Sequence, residues 1–141
     1  MRLVKARALS PGDTIGVVAP SEPISRDDFE RGASILEGLG FRVRPGKHLF
    51  SRRCDYITAS DPERAEEINA MFRDPEIAGI ISAQGGTSAN RLLPLLDYNA
   101  IARNPKVFCG YSDSTALSLA LLRKARLVTF HGPNLAHMGA S

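Results

Sequence analysis

Three short apolar runs, at residues 14–19, 78–83 and 106–109, each pass through a turn into a stretch with helical spacing, and this alternation constrains the fold more than any other feature. Thr14-Ile15-Gly16-Val17-Val18-Ala19 and Ala78-Gly79-Ile80-Ile81-Ser82-Ala83 do not alternate with polar residues, which is the pattern of strands covered on both faces. Lys106-Val107-Phe108-Cys109 is a third such run, and Leu127-Val128-Thr129-Phe130 a further strand candidate. Parallel neighbours need crossover connections, which helices supply with a fixed hand. The expected class is therefore α/β, a three-layer parallel sheet with helices on both faces, flavodoxin-like or Rossmann-like.

The helix signals sit between the runs. Ser25 precedes an acidic first turn (Asp27, Asp28), and Phe29, Ala33, Leu36 and Leu39 follow at helical spacing up to Gly40. Ser60-Asp61-Pro62-Glu63 is a capping box with proline where no N–H is needed, and Ala65, Ile68, Asn69 and Phe72 form the inner stripe behind it. Further helices are expected with Ala89, Leu92, Leu93 and Leu96 on one side, and over residues 114–122. Phe41-Arg42-Val43-Arg44 alternates as an edge strand does, and residues 45–56 read as loop. Residues 134–141 carry neither period and read as a linker into further chain.

A chain of 141 residues is the size of one domain, and 43% apolar with 23% charged residues is a globular balance. The 18 Lys+Arg against 15 Asp+Glu are scattered, and with no Trp there is little from which to build a base-stacking platform, so no nucleic-acid partner is expected. Cys54 and Cys109 form no C-x-x-C pair and read as reduced structural thiols. No run has the length of a signal-peptide core or a membrane span, so a cytoplasmic protein with no membrane partner is expected.

In open α/β sheets ligands bind beyond the carboxyl ends of the strands, which gathers the loops around Pro20-Ser21, Gly85-Gly86 and Ser112 on one edge. Gly110-Tyr111-Ser112-Asp113-Ser114 follows a strand and opens a helix, the setting of a nucleophilic serine, with Ser114 where the G-x-S-x-G pattern has its second glycine. An ordinary helix N-cap at Ser112 fits the same spacing. The glycine pair could bring a backbone N–H beside the Ser112 hydroxyl and complete a two-donor oxyanion hole with the N–H of Asp113. A phosphate cradle and a plain turn are the alternatives there, the first without the lysine of a P-loop. A serine nucleophile needs a base. Of His48, His131 and His137, only His131 follows a strand end toward this edge, and with no carboxylate in its loop it reads as structural.

Gly12-Asp13-Thr14-Ile15-Gly16-Val17-Val18-Ala19-Pro20-Ser21, Glu63-Arg64-Ala65, Gly85-Gly86, Arg91-Leu92-Leu93, Leu96-Asp97-Tyr98, Asn104-Pro105-Lys106, Gly110-Tyr111-Ser112-Asp113 and Thr129-Phe130-His131-Gly132-Pro133 together resemble the L,D-carboxypeptidase family of serine peptidases. The resemblance implies a cytoplasmic, homodimeric hydrolase of peptidoglycan recycling. Such a muramoyltetrapeptide carboxypeptidase releases the terminal D-alanine of murein tetrapeptides; a related branch cleaves microcin C-type peptidyl nucleotides. By the same resemblance Ser112 is the nucleophile, and the backbone at Gly86 and Asp113 the oxyanion hole. Gly85 and Thr87 become substrate-binding positions, and no metal or cofactor takes part. A Glu and a His from a second domain complete the triad, so residues 1–141 form an N-terminal nucleophile-bearing domain expected to be inactive alone. Gln84 and Thr87 stand where many members carry a basic or aromatic residue, which leaves the substrate branch open. Outside the resemblance, a non-catalytic module holding an anion or nucleotide on the glycine loop is the competing expectation.

Overall fold

The computed structural model describes residues 2–139. Strands β1 (Thr14–Val18), β2 (Arg42–Pro45), β3 (Ile77–Ser82), β4 (Val107–Gly110) and β5 (Phe130–His131) pair in parallel, in the order β2-β1-β3-β4-β5. This is the flavodoxin-like order, in which the chain reverses direction across the sheet between β1 and β3. Successive residues of β3 serve opposite faces. Ile80 joins a core with Val18, Phe108 and the inner sides of α2 (Asp61–Arg73), α3 (Tyr98–Arg103) and α4 (Thr115–Ala125). Ile81 joins a second core with Ile15, Val17, Leu135 and the inner side of α1 (Arg26–Gly38). The three-layer α/β class expected from the sequence is the one observed.

The capping signals act as read. The Ser25 side chain accepts from the Asp28 N–H, and at α2 the Ser60 and Glu63 side chains each accept from the other's backbone. Ala65, Ile68, Asn69 and Phe72 are all buried, whereas Leu39 is the exposed C-cap of α1.

Several expectations are corrected. Residues Ala89–Leu95 form a 3-10 helix and not an α-helix, with Pro94, which has no N–H to donate, in its last turn. α3 follows it, capped by the Asp97 side chain on the Ala100 N–H. β5 is two residues long, and Leu127 makes an isolated parallel bridge to Val4 near the amino terminus instead of joining the strand. Residues 134–139 are no linker. Asn134 and Leu135 are fully buried, and Leu135 packs so tightly on α1 that a Cβ added at Gly32 would stand 2.6 Å from it. The last two residues of the expected linker lie outside the described ones. Among the described residues no helix is long and apolar enough to cross a membrane.

Candidate active site

The chain leaves β4 and turns at once. Gly110 is packed closely: an added Cβ would lie 3.0 Å from Ser82 Cβ and 3.1 Å from Ser114 Cβ, so a side chain there would have to push its neighbours aside. The next turn is a single 3-10 turn, Ser112–Ser114, running into α4. Ser112 has φ +59°, one of two described non-glycine residues with positive φ, the other being the left-handed C-cap Arg126. A left-handed serine costs roughly 1–2 kcal/mol and persists only where the surroundings enforce it. Its side chain is exposed and makes no cap hydrogen bond. The N-cap alternative for Ser112 is therefore not realised; Tyr111 occupies that position. Ser114 is buried, with its hydroxyl 2.6 Å from that of Ser82, so the residue that replaces the second glycine of the pattern points into the sheet, away from Ser112.

The glycine loop leaves β3 beside this turn. A Cβ on Gly85 would rest 3.4 Å from Ser112 Oγ, so Gly85 faces the serine hydroxyl across a gap about one methyl group wide. The Gly85 carbonyl accepts from the Glu22 N–H (3.3 Å), and because the peptide is planar and trans, the Gly86 N–H points the opposite way, away from the β1 loop. Gly86 has φ +146°, and a Cβ there would fall 2.3 Å from Ser21 Oγ. The exposed Thr87 gives its N–H to Ser21 Oγ (3.1 Å), as does Ser88 (3.0 Å). One carboxylate oxygen of Asp113 accepts from the Ser88 N–H (3.1 Å) and the Ala89 N–H (2.9 Å). The hydrogen bonds of the described residues thus use the N–H groups of Thr87, Ser88 and Ala89 and leave those of Gly86 and Asp113 unclaimed. A phosphate cradle needs the first three, and the Asp113 carboxylate already stands there.

Beneath the loop lies Arg64, its side chain fully buried. It donates to the carbonyls of Pro20 (2.5 Å) and Ala59 (3.0 Å) and to Ser88 Oγ (3.0 Å), and pairs with Asp61. Burial pulls its pKa below that of an ordinary arginine, while Asp61 and then Asp113 pull it back. Ser21 and Ser88, also buried, share a 3.0 Å hydrogen bond. Sequence reading missed Arg64, Ser88 and the side-chain role of Asp113. The available signal was an arginine at position 64 on the inner stripe of α2, between Asp61 and Ile68, where an unpaired cation would not be tolerated.

His131 and His137 stand edge-on to the Tyr111 ring, with centroids 6.2 and 5.4 Å away, and line a shallow hollow with Gly132 and Pro133. No imidazole is hydrogen-bonded to Ser112 among the described residues. Cys109 is half-buried with its thiol pKa raised by burial, and so is unsuited to nucleophilic work. Among the described residues no group of His, Cys, Asp and Glu could hold a metal ion.

A serine at positive φ between a parallel strand and a helix, with a glycine loop beside it, has the strand-turn-helix geometry that a nucleophile elbow requires. The chain belongs to the family described as LD-carboxypeptidase N-terminal domain (Peptidase_S66), whose profile matches residues 15–132. Among its relatives is the "Probable murein peptide carboxypeptidase" of Bacillus subtilis (strain 168), 39% identical over 132 residues, covering 94% of this chain and 41% of the relative. The Escherichia coli "Microcin C7 self-immunity protein MccF" is 42% identical over 133 residues, covering 92% and 38% respectively. A solved structure of MccF in complex with aspartyl sulfamoyl adenosine superposes with a TM-score of 0.88 at 41% identity, covering 93% of this chain and 40% of that one. The chain thus spans about two fifths of the length of the proteins it matches.

Proposed function

We propose that this chain is the nucleophile-bearing part of a serine carboxypeptidase that releases terminal D-alanine from murein tetrapeptides. The observation that carries the reading is the left-handed Ser112 with Gly85 facing its hydroxyl. Ser112 attacks the amide carbonyl between the L-centre and D-alanine. The N–H groups of Gly86 and Asp113 hold the tetrahedral anion, each donor being worth a few kcal/mol. D-Alanine leaves with a proton, and water then hydrolyses the acyl-enzyme ester and restores the serine. Gly85 and Thr87 line the substrate. The base and its orienting carboxylate, a His and a Glu, come from chain beyond these residues, in agreement with the greater length of the relatives. The protein works in the cytoplasm as a homodimer, recycling cell-wall peptides.

The test is D-alanine release from a murein tetrapeptide by the complete protein, with Ser112→Ala abolishing it. The 141 residues alone should give negligible Ser112-dependent release, and measurable release would sink the two-part triad. A second reading, cleavage of a peptidyl nucleotide, rests on the similarity to MccF, whose solved structure holds aspartyl sulfamoyl adenosine. Faster Ser112-dependent cleavage of an aspartyl nucleotide than of the tetrapeptide selects it. A purely anion-holding module is disfavoured by the loop itself, whose Thr87, Ser88 and Ala89 N–H groups are taken by Ser21 and Asp113. Phosphate binding lost on Gly86→Val but unaffected by Ser112→Ala would revive it.

A further inference from the structure

The Asp113 carboxylate joins two segments that meet nowhere else in sequence. Its backbone belongs to the turn that carries Ser112. Its Oδ2 receives the N–H groups of Ser88 and Ala89, two and three residues past the Gly85-Gly86 pair. From the other side Ser21 Oγ receives Thr87 and Ser88, and Arg64 holds Ser88 Oγ, the Pro20 carbonyl and Asp61. The loop is thus gripped between an anion fixed to the nucleophile's own turn and a hydroxyl fixed to the β1 loop.

We propose that the Asp113 side chain is a positioning residue, distinct from its backbone N–H, that sets the glycine loop at its working distance from Ser112; this rests on the serine-hydrolase reading above. Removing the carboxylate leaves Ser112 and both backbone donors in the chain but frees the Gly86 donor to drift. Losing about 1 Å of registration typically costs on the order of 10²-fold in rate. The anion developed in the transition state feels that drift most, so the effect falls on turnover and not on substrate affinity.

The test compares Asp113→Ala, Asp113→Asn and Ser112→Ala in the complete protein, with tetrapeptide kinetics and amide hydrogen exchange of the 85–89 segment. Asp113→Ala should lower kcat about 10²-fold with KM within about twofold. Asp113→Asn, which keeps one acceptor oxygen and serves where alanine fails to fold, should recover about tenfold of that. Exchange at Ala89, whose N–H has Asp113 as its acceptor, should speed at least about tenfold in Asp113→Ala, and that at Ser88 less, because Ser21 Oγ still accepts from it. Unchanged exchange overturns the clamp whether or not the protein is a peptidase, and so does a kcat within twofold of wild type. Activity that survives Ser112→Ala overturns the nucleophile reading instead, and the exchange measurement still decides the clamp.

Discussion

Replacing Ser112 by glycine should stabilise the fold while removing its proposed function. The serine sits at φ +59°, exposed and without a side-chain cap hydrogen bond, so its removal forfeits little folded-state energy. Left-handed geometry costs an ordinary residue roughly 1–2 kcal/mol, a strain glycine does not feel. Against this, glycine's freedom in the unfolded chain costs roughly 0.5–1 kcal/mol. The net is a gain of about 0.5–1 kcal/mol, or some 2–3 °C in Tm for a domain of this size. Ser112→Ala keeps the strain and should match wild type or fall slightly below it. The assay is urea unfolding of the three variants, read as midpoint shifts at constant m-value. Arg126→Gly, at the other positive-φ position (φ +62°) and in the C-cap of α4, should gain similarly. A Ser112→Gly protein no more stable than Ser112→Ala would refute stored strain at the elbow, and with it the main observation behind the nucleophile.

Gly86→Ala should lose about 2–3 kcal/mol, because the new Cβ would stand 2.3 Å from Ser21 Oγ at a strained φ and release two N–H donors. Gly85→Ala, in ordinary 3.4 Å contact with Ser112 Oγ, should lose under about 1 kcal/mol, and equal losses in urea would show the two positions misread. Arg64→Met strands the acceptors on Pro20, Ala59 and Ser88, and should cost about 3 kcal/mol, at the low end for a broken buried pair because Arg91 also pairs with Asp61; a loss under 1 kcal/mol counts against the buried hub. Glu67 is buried, and that burial raises its carboxyl pKa above the ordinary 4.5 although the N–H groups of Ala19 and His48 pull it down. Its contribution to stability is therefore fully present below pH 4.5 and is lost as pH rises through the folded value; a carbon-13 NMR midpoint at or below 4.5 contradicts this.

What the sequence made legible was whatever is written in local period and capping chemistry. Apolar runs without alternation marked β1, β3 and β4, and Ser60 with Glu63 marked the start of α2, because each depends on residues within a turn of one another. Ser112 stood out for the same reason, since a glycine, a serine and a helix start lie within five residues. Its left-handed φ did not, because the contacts around that turn come in part from distant residues: Ser82 crowds Gly110, and the Asn134 side chain accepts the Tyr111 N–H at 3.3 Å. The same holds for residues 134–139, which read as a linker for want of a period and yet bury Asn134 and Leu135 completely. Leu135 fills the space that Gly32 leaves on α1, and Ala136 gives its N–H to the Ala83 carbonyl at the end of β3. That stretch closes the α1 face of the sheet and puts Asn134 under the elbow. The missed packing and part of the elbow's support therefore share one source, a non-local segment whose burial brings Asn134 to the Tyr111 N–H.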